Sequence, residues 1–270
     1  MAPLIVVIPS YNRPEKLAKT VEGVRRELQP EDVVVFDQPV GKPAGLGGAW
    51  NTVVRMATQK HGPSARYLLL DDDCHFPVLG NLGHALQHFD DDPLLGMVQV
   101  QALPGVLSPR GTVLPFIMHA FLARGEVFFD SAAGPGVNYD PRETVSIEVG
   151  MSLDVGFAGW RQLRTQRVRI IREMVARATT REHNATKKYD GGIEGSVKDG
   201  APVICSFMER FVETGLVTCR THSRQGAVIP WYPSVRLTPR GALACRKAQG
   251  VRSMVLGIHT GGSHGEREAD

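Results

Sequence analysis

The stretch Tyr67-Leu68-Leu69-Leu70-Asp71-Asp72-Asp73 decides the fold, because four strand-forming residues run directly into three consecutive carboxylates. An apolar run this short, with no helical period, predicts a buried β-strand. The carboxylates then lie at its carboxyl end, the edge where open α/β sheets bind ligands. Three adjacent like charges need a compensating cation, and Mg²⁺ or Mn²⁺ with oxygen ligands would bring a phosphate with it. A solvated acidic turn is the alternative interpretation.

The composition predicts a soluble globular protein. The chain has 270 residues, enough for one large domain or two small ones, and is 42% hydrophobic and 22% charged. The formal net charge of +3 identifies no partner. The apolar N-terminus breaks at Pro9 and lacks a basic region, so we expect a strand rather than a signal peptide, and a cytoplasmic protein. The cysteines lie far apart without a CxxC pair and predict neither zinc nor disulfides: Cys74, Cys205, Cys219 and Cys245.

The segment before the acidic stretch predicts a parallel α/β unit. Apolar residues from Leu4 to Ile8 form a first strand, and a polar loop leads into a stretch with helical spacing that Pro14 opens. A second strand, Val33 to Phe36, is closed by Asp37. Strand, helix and strand in this order imply a right-handed parallel crossover.

A glycine-rich segment, residues 41–51, follows the second strand and opens a helix that contains Trp50 and Val53. Glycines allow a ligand to approach the backbone, and a helix start presents free N–H groups to an anion. The segment matches neither the Walker loop nor GxGxxG, and a flexible linker is the alternative. Further on, we expect strands at Met97 to Gln101 and Glu126 to Phe129, and a helix that begins near Ser152 and buries Leu163.

Charge is distributed unevenly along the second half. Residues 161–188 hold nine basic residues against two acidic ones, a net +7, although the whole chain carries only +3. An arginine-rich stretch of this kind is typical of a polyanion partner, because guanidinium groups match phosphate geometry. A solvated helix surface is the alternative interpretation.

Taken together, the first 75 residues resemble the nucleotide-sugar half of GT-A glycosyltransferases, particularly those of the family-2 type. The resemblance implies a Rossmann-like, mixed and mostly parallel sheet flanked by helices. It also implies that the loop after the first strand touches the nucleotide and that an acid after the second strand holds the nucleotide base. The glycine-rich segment would line the ribose and diphosphate, and the acidic triplet would be a D-x-D motif. The implied donor-binding residues are Pro9, Ser10, Tyr11, Asn12, Arg13, Asp37, Gly47, Gly48, Asn51, Asp71 and Asp72. The last acid, Asp73, would bind the metal, Mn²⁺ or Mg²⁺.

The same resemblance implies a catalytic base on an acidic helix and a later metal-binding histidine. Asp154 is the best match to the catalytic base, because Arg161 and Arg164 follow it, and Glu148 is the second choice. His183 lies where the family places its histidine. In the family the catalytic base usually belongs to a pair of adjacent acidic residues, whereas this sequence has Leu153-Asp154 at that position. The implied reaction is a single, inverting displacement at the anomeric carbon of a nucleotide sugar, with a UDP-sugar such as UDP-glucose as the best match.

The acceptor is predicted from the basic second half. Compact size, no membrane anchor and many arginines are similar to the phage glycosyltransferases that modify 5-hydroxymethylpyrimidines in DNA, such as 5-hydroxymethylcytosine. A phage protein of this type would act in the host cytoplasm, on a base that leaves the stack. The expected DNA contacts are Arg161, Arg164, Arg181, Lys187 and Lys188.

We expect one GT-A domain, with a nucleotide-sugar half at 1–125, an acceptor half at 126–256 and a flexible tail at 257–270. Three alternatives stay open. The first is a GT-A enzyme with a small-molecule, glycan or protein acceptor. The second is a nucleic-acid-binding protein with a decayed donor site. The third is a nucleotidyltransferase, although Pro9-Ser10-Tyr11-Asn12 is not its glycine-rich basic signature. Which sugar is carried, and the oligomeric state, do not follow from the sequence.

Overall fold

The computed structural model describes residues 2–38, 45–79, 82–100, 120–141, 147–164, 169–172, 208–224 and 227–258. In these ranges a six-stranded sheet has helices packed on both of its faces. None of the helices in this part of the chain combines the length and the apolar character that a membrane span requires.

Two β–α–β units make up the first 70 residues. Their elements are β1 (Leu4–Ser10), α1 (Pro14–Glu27), β2 (Asp32–Asp37), α2 (Gly45–His61) and β3 (Arg66–Leu70). Pro14 opens α1, where its fixed backbone angle suits the first turn and its missing N–H is not needed. Strand β1 pairs in parallel with both β2 and β3, which confirms the predicted parallel arrangement of the first two strands. The carboxyl ends of the three strands therefore meet at one edge of the sheet.

The middle of the chain adds an antiparallel strand. It contains β4 (Cys74–Leu79), α3 (Leu82–Asp91), β5 (Leu95–Gln99), β6 (Ala120–Arg124) and a 3₁₀ turn (Gly125–Phe128). Strand β6 runs antiparallel to its two neighbours, β3 and β5. Strand β5 confirms the strand that was predicted from Met97 onwards.

The last part completes the sheet and adds two small ones. Its elements are α4 (Ile147–Phe157), β7 (Arg161–Arg164), β8 (Arg169–Arg172), a π-helical turn (Met208–Val212), β9 (Val217–Arg224), β10 (Ala227–Leu237) and α5 (Pro239–Val255). The main sheet has the order β2-β1-β3-β6-β5-β7, and β7 pairs in parallel with β5. Strands β9 and β10 form an antiparallel pair, as do β4 and β8. The predicted mixed, mostly parallel α/β sheet is confirmed.

Strand β3 lies at the centre of the hydrophobic core, and all four residues before the acidic triplet are 0% exposed. Tyr67 and Leu69 belong to the core cluster on the α2 side, whereas Leu68 and Leu70 pack on the side of α1 and α3. Burying one such side chain contributes about 1.5–3 kcal/mol. Both faces of β3 are therefore occupied by apolar contacts, so the first carboxylate can appear only where the strand ends.

Two sequence predictions of secondary structure were wrong. Glu126 to Phe129 was expected to be a strand, but β6 already ends at Arg124 and the chain turns at Gly125. A side chain on Gly125 would meet the backbone oxygens of Pro63 and Ala65, so the turn depends on a residue without one. The apolar residues from Glu126 to Phe129 form a pattern that does not distinguish a tight turn from a strand.

The helix expected to begin near Ser152 begins at Ile147 and ends at Phe157, and Leu163 lies in β7 rather than on the helix. Gly159, with φ +85°, ends the helix. The N–H of Trp160 donates to the oxygen of Val155 and that of Gly159 to the oxygen of Gly156, the pattern of a Schellman motif. Gly159 was the sequence signal for this helix end.

Helix α5 packs directly on the turn that follows α4. The guanidinium of Arg252 lies 3.9 Å from the ring centroid of Trp160, and its Nε donates to the carbonyl oxygen of Ala158 at 3.0 Å. A side chain on Gly159 would meet the backbone oxygen of Ala248 at 2.5 Å. This close approach and the left-handed backbone both require glycine at position 159.

Replacing Gly159 tests this packing. We expect Gly159→Ala to lower the free energy of unfolding by about 2–4 kcal/mol, because left-handed strain and the clash with α5 add. The matched control is Gly250→Ala within α5, where no atom lies within 4 Å of the new methyl group. There we expect about 0.5–1 kcal/mol of stabilisation from helix propensity. Urea unfolding measures both, and equal stabilities for the two variants would contradict the assigned contact.

Candidate active site

The three carboxylates follow β3 and differ in exposure. Asp71 is half-buried, whereas Asp72 and Asp73 are only 6% and 3% exposed. Asp72 accepts a hydrogen bond from Ser10 Oγ at 2.9 Å and another from Arg13 Nη1 at 3.1 Å. Arg13 Nη1 also lies 3.9 Å from Asp73 Oδ2. The compensating cation that the triplet was predicted to need is therefore supplied in part by the protein itself.

Burial dominates the electrostatics of Asp72. The pKa of its carboxyl is raised to about 6, and desolvation is the largest cause. The charge of Arg13 and the Ser10 hydrogen bond lower this pKa, whereas the charges of Asp73 and Asp71 raise it. Backbone groups of the triplet are held as well. Thr20 of α1 donates its hydroxyl to the carbonyl oxygens of Asp72 at 2.9 Å and Cys74 at 3.1 Å. Sequence reasoning missed Thr20, since no motif marks it.

The loop after β1 reaches the triplet because of its backbone conformation. Asn12 has φ +52°, a left-handed conformation that asparagine adopts more readily than most residues. The turn at Asn12 places Arg13 next to the acids, while Tyr11 is buried at 5% exposure. In the β1–β2 register Pro9 is paired with Phe36 and Ser10 with Asp37. The predicted donor residues of the loop, Asp37 and the triplet therefore share one edge of the sheet.

Helix α2 starts at Gly45, and its first turns contact the segment around Tyr139. Asn51 Nδ2 donates to the carbonyl oxygen of Tyr139 at 2.7 Å, and Tyr139 N–H donates to Asn51 Oδ1 at 2.9 Å. The ring of Tyr139 stacks on Trp50 with a centroid distance of 5.6 Å. A side chain on Gly47 would meet the carbonyl oxygen of Asp140 at 2.5 Å. The backbone of Asp140 therefore lies against Gly47, and the side-chain amide of Asn51 is bonded to the backbone of Tyr139.

Asp154, the predicted base, lies in the second half of α4 and forms an ion pair. Arg210 Nη1 lies 2.6 and 2.7 Å from its two carboxylate oxygens. Burial raises the pKa of the Asp154 carboxyl above its ordinary value, Arg210 lowers it, and the charge of Asp140 raises it. Neither Arg210 nor Asp140 was among the predicted site residues. Both lie far from Asp154 in sequence, so no local pattern indicates the cluster.

Several predicted site residues fall outside the described residues: His183, Arg181, Lys187 and Lys188. The side chains of Glu148 and Arg164 also lie outside the description. Arg161 is exposed, and its guanidinium lies 3.0 Å from Asp92 Oδ2. Within the described ranges, no group of three or more histidine, cysteine or acidic residues is arranged to hold a metal ion.

Comparison with solved structures identifies the fold. The mannosyltransferase PcManGT from Pyrobaculum calidifontis, in complex with GDP-Man and Mn²⁺, has 14% sequence identity and a TM-score of 0.52, over 97% of this chain and 77% of that one. A likeness at this identity concerns the fold alone, which is that of GT-A glycosyltransferases. The structural part of the predicted resemblance is therefore confirmed.

Two further solved structures are less similar. TarS from S. aureus has 13% identity and a TM-score of 0.48, over 74% of this chain and 42% of that one, so the chain spans less than half its length. Glucosyl-3-phosphoglycerate synthase from Mycobacterium tuberculosis, in complex with Mn²⁺, UDP-Glc and phosphoglyceric acid, has 14% identity and a TM-score of 0.42. The match covers 90% of this chain and 91% of that one. No protein-family model matches the sequence, and the search of curated proteins gave no match.

The Thr20 contact can be tested by an isosteric change. Thr20→Val removes the hydroxyl that supports the carbonyl oxygens of Asp72 and Cys74, so we expect the free energy of unfolding to fall by about 1–3 kcal/mol. Thr58→Val is the control, since the hydroxyl of the half-buried Thr58 makes only a solvent-exposed hydrogen bond, to Arg55 O at 3.2 Å. That change should stay within about 0.5 kcal/mol. A Thr20→Val protein as stable as the control would show that this contact does not hold the triplet.

Proposed function

We propose that this protein is a metal-dependent glycosyltransferase that moves a sugar from a nucleotide sugar to a hydroxyl group. One observation carries the proposal: at the carboxyl edge of a GT-A sheet, Ser10 and Arg13 of the loop after β1 bind Asp72 of the acidic triplet. Open α/β sheets bind their ligands at this edge, and the residues here are polar, acidic and held in place.

The donor would lie across the ends of β1, β2 and β3. Asp37 would bind the base, and the loop from Pro9 to Arg13 would line the nucleoside. Asp71 would bind the ribose, and the start of α2 at Gly47 and Gly48 would line the diphosphate, where helix N–H groups favour an anion. These roles rest on the resemblance together with the shared edge at which the described residues lie. A UDP-sugar is our choice of donor.

The acidic residues fit a divalent metal. Mg²⁺ and Mn²⁺ take oxygen ligands, and Mg²⁺ is typically held by one or two carboxylates together with substrate phosphates. Asp73 offers one such carboxylate, and Asp71 beside it would bind the ribose or the water shell of the metal. Asp73 would be the main ligand, with His183 as a further one. Bound there, the ion would neutralise the charge that develops on the leaving diphosphate.

Transfer would proceed by one displacement that inverts the anomeric carbon. The acceptor oxygen forms a bond to that carbon while the bond to the diphosphate oxygen breaks, and the acceptor proton passes to a carboxylate. Asp154 is the proposed base. Burial keeps its carboxyl more basic than an ordinary aspartate, although Arg210 opposes this, and Arg210 would stay beside the residue as it gains and loses a proton.

For the acceptor we propose a hydroxymethylated base in DNA. The support is charge: residues 161–188 carry a net +7, and α5 adds the exposed Arg240, Arg246 and Lys247 without a single acid. A phosphate backbone would neutralise this excess, with salt-sensitive binding. A small-molecule, glycan or protein acceptor would leave the charge unexplained. A decayed donor site would leave no reason for the supported triplet.

The decisive experiment is a transfer assay. Purified protein, Mn²⁺ and a mixture of nucleotide sugars are incubated with plain or 5-hydroxymethylpyrimidine DNA, and the digested nucleosides are weighed by mass spectrometry. We expect a hexose-sized gain on the modified DNA alone. Asp73→Asn should reduce the gain at least about 10³-fold and abolish Mn²⁺-dependent nucleotide binding, since several kcal/mol of charge stabilisation is lost.

The other outcomes separate the alternatives. Donor hydrolysis without transfer would keep the glycosyltransferase and exclude this acceptor. Neither transfer nor hydrolysis nor nucleotide binding would favour the decayed donor site. Full transfer by Asp73→Asn would remove the metal assignment.

Asp154→Asn tests the base. We expect nucleotide-sugar binding to stay within about twofold and kcat to fall about 10²–10⁴-fold, because a general base contributes that much. The wild type should lose kcat as the pH falls through the pKa of Asp154, which lies above that of an ordinary aspartate, and the variant should lack this acid limb. An Asp154→Asn protein with wild-type turnover would move the role to Glu148.

A further inference from the structure

Helix α5 is packed against the protein on one side and is open on the other. Its buried residues face the rest of the protein: Gly241, Cys245, Arg252 and Ser253. Gly241 lies so close to the backbone oxygen of Leu216 that a side chain at this position would collide with it. On the opposite side, a methyl group on Gly250 would have no atom within 4 Å. Helix α5 therefore has a fixed orientation, with one long face exposed to solvent.

The exposed face of α5 concentrates apolar side chains. In the described part of the chain six large apolar side chains are exposed, and only Met56 among them lies elsewhere. The others are Leu243, Val251, Met254, Val255 and Leu256. Single exposed apolar residues are ordinary, but a contiguous group of them marks an interaction surface. The last four of these side chains lie within two helical turns, with Met254 73% exposed, and they form the apolar end of α5.

Most of the backbone polar groups at the apolar end are already paired within the chain. The last four carbonyl oxygens of a helix have no partner inside it, and an unpaired carbonyl resists transfer from water. Three of these four in α5 accept hydrogen bonds from residues that follow: Arg252 from Leu256, Met254 from Gly257 and Ser253 from Ile258. Gly257, with φ +66°, allows this closure, which is a Schellman motif. The apolar end is therefore suited to an apolar environment.

Exposed cations lie next to the apolar end. Arg240, Arg246 and Lys247 are exposed, and α5 contains no acidic residue. From Lys247 to Met254 the helix makes almost two turns, so these two side chains lie on one face, about 10 Å apart along the axis. A partner that covers this surface must offer negative charge and apolar material within about this distance.

Three kinds of partner meet this requirement to different degrees. A second copy of the chain would place the same cations against each other across a two-fold interface, which disfavours self-association through this face. A DNA backbone would pair with the cations and leave the apolar end in water. A bilayer that contains anionic lipids offers both components, because its negative headgroups lie directly above the hydrocarbon.

We propose that α5 binds an anionic lipid surface, with its apolar end at the boundary between headgroups and acyl chains. Arg240, Arg246 and Lys247 then bind the lipid phosphates. This role was not expected from the sequence, because only the fold shows which side of α5 is exposed. Sugar transfer to DNA does not depend on it, since most of the positive charge offered for DNA lies in residues 161–188.

Co-sedimentation of the full chain with lipid vesicles tests the proposal. One set of vesicles is phosphatidylcholine alone, and the other is phosphatidylcholine and phosphatidylglycerol in equal parts. Met254→Gln removes the most exposed apolar contact. Met56→Gln in α2 is its matched control, since Met56 is the exposed large apolar residue that lies outside α5 in the described chain.

A second pair of variants tests the charge. Arg246→Gln combined with Lys247→Gln removes two cations of α5. Lys19→Gln combined with Arg25→Gln is the matched control, because it removes two exposed cations of α1. Thermal unfolding shows whether each protein is folded as the wild type is.

We expect the wild type to bind anionic vesicles at least about tenfold more tightly than neutral ones, since each cation near the surface contributes about fivefold. Met254→Gln should weaken binding about tenfold and keep its salt dependence, because it removes apolar burial only. The Arg246 and Lys247 double variant should weaken binding about 20–30-fold at low salt and much less at high salt. Both control proteins should bind as the wild type does.

Several outcomes would overturn the proposal. A folded wild type that binds neither kind of vesicle, or both equally, has no anionic lipid site. If the α1 double variant loses as much binding as the α5 double variant, the attraction is general and does not belong to α5. If vesicles are not bound but the α5 double variant loses DNA binding, the face belongs to DNA. If Met254→Gln instead changes a dimer to a monomer in gel filtration, the face binds a second copy.

Discussion

The ion pair between Arg13 and Asp72 is the contact on which the candidate site depends. Residues 67–70 of β3 are fully buried between two apolar layers, so the three carboxylates that follow the strand are placed together at its end. Two of them are removed from water, and a buried carboxylate without a partner would take up a proton or destabilise the fold. Arg13 lies 3.1 Å from one and 3.9 Å from the other. The loop after β1 and the end of β3 are therefore tied together by charge as well as by the sheet.

A second coupling joins the start of α2 to the segment around Tyr139. The side-chain amide of Asn51 binds the backbone of Tyr139 in the way a neighbouring strand would, with one bond given and one received. Because Gly47 lacks a side chain, the segment at Asp140 can approach α2 at backbone distance. The start of α2 and the segment at Asp140 are thus held together, and the charge of Asp140 raises the pKa of Asp154.

The sequence predicted those features that depend on local pattern. Short-range hydrophobic periodicity and turn residues predicted the parallel strands and the helix that Pro14 opens. They also predicted that Asp71–Asp73 lie at a strand end. Contacts between distant segments did not follow from it: Thr20 on the triplet, Arg210 on Asp154 and Tyr139 on Asn51 each join residues from different elements. The contact of Gly47 with the carbonyl oxygen of Asp140 is of the same kind, because it joins α2 to a distant segment.

Environment, more than residue type, separates the aspartates of this site. Asp72 is buried and bonded to Ser10 and Arg13, which suits a residue that orients others rather than one that meets substrate. Asp154 has a cation in contact and a neighbouring anion, and such opposed influences on its basicity suit a group that exchanges a proton. Asp73 lies beside Arg13, where a divalent ion would compete with the guanidinium for the same carboxylate. Because each acid has a different neighbour, the same functional group would serve support, proton transfer and metal binding within the proposed active site.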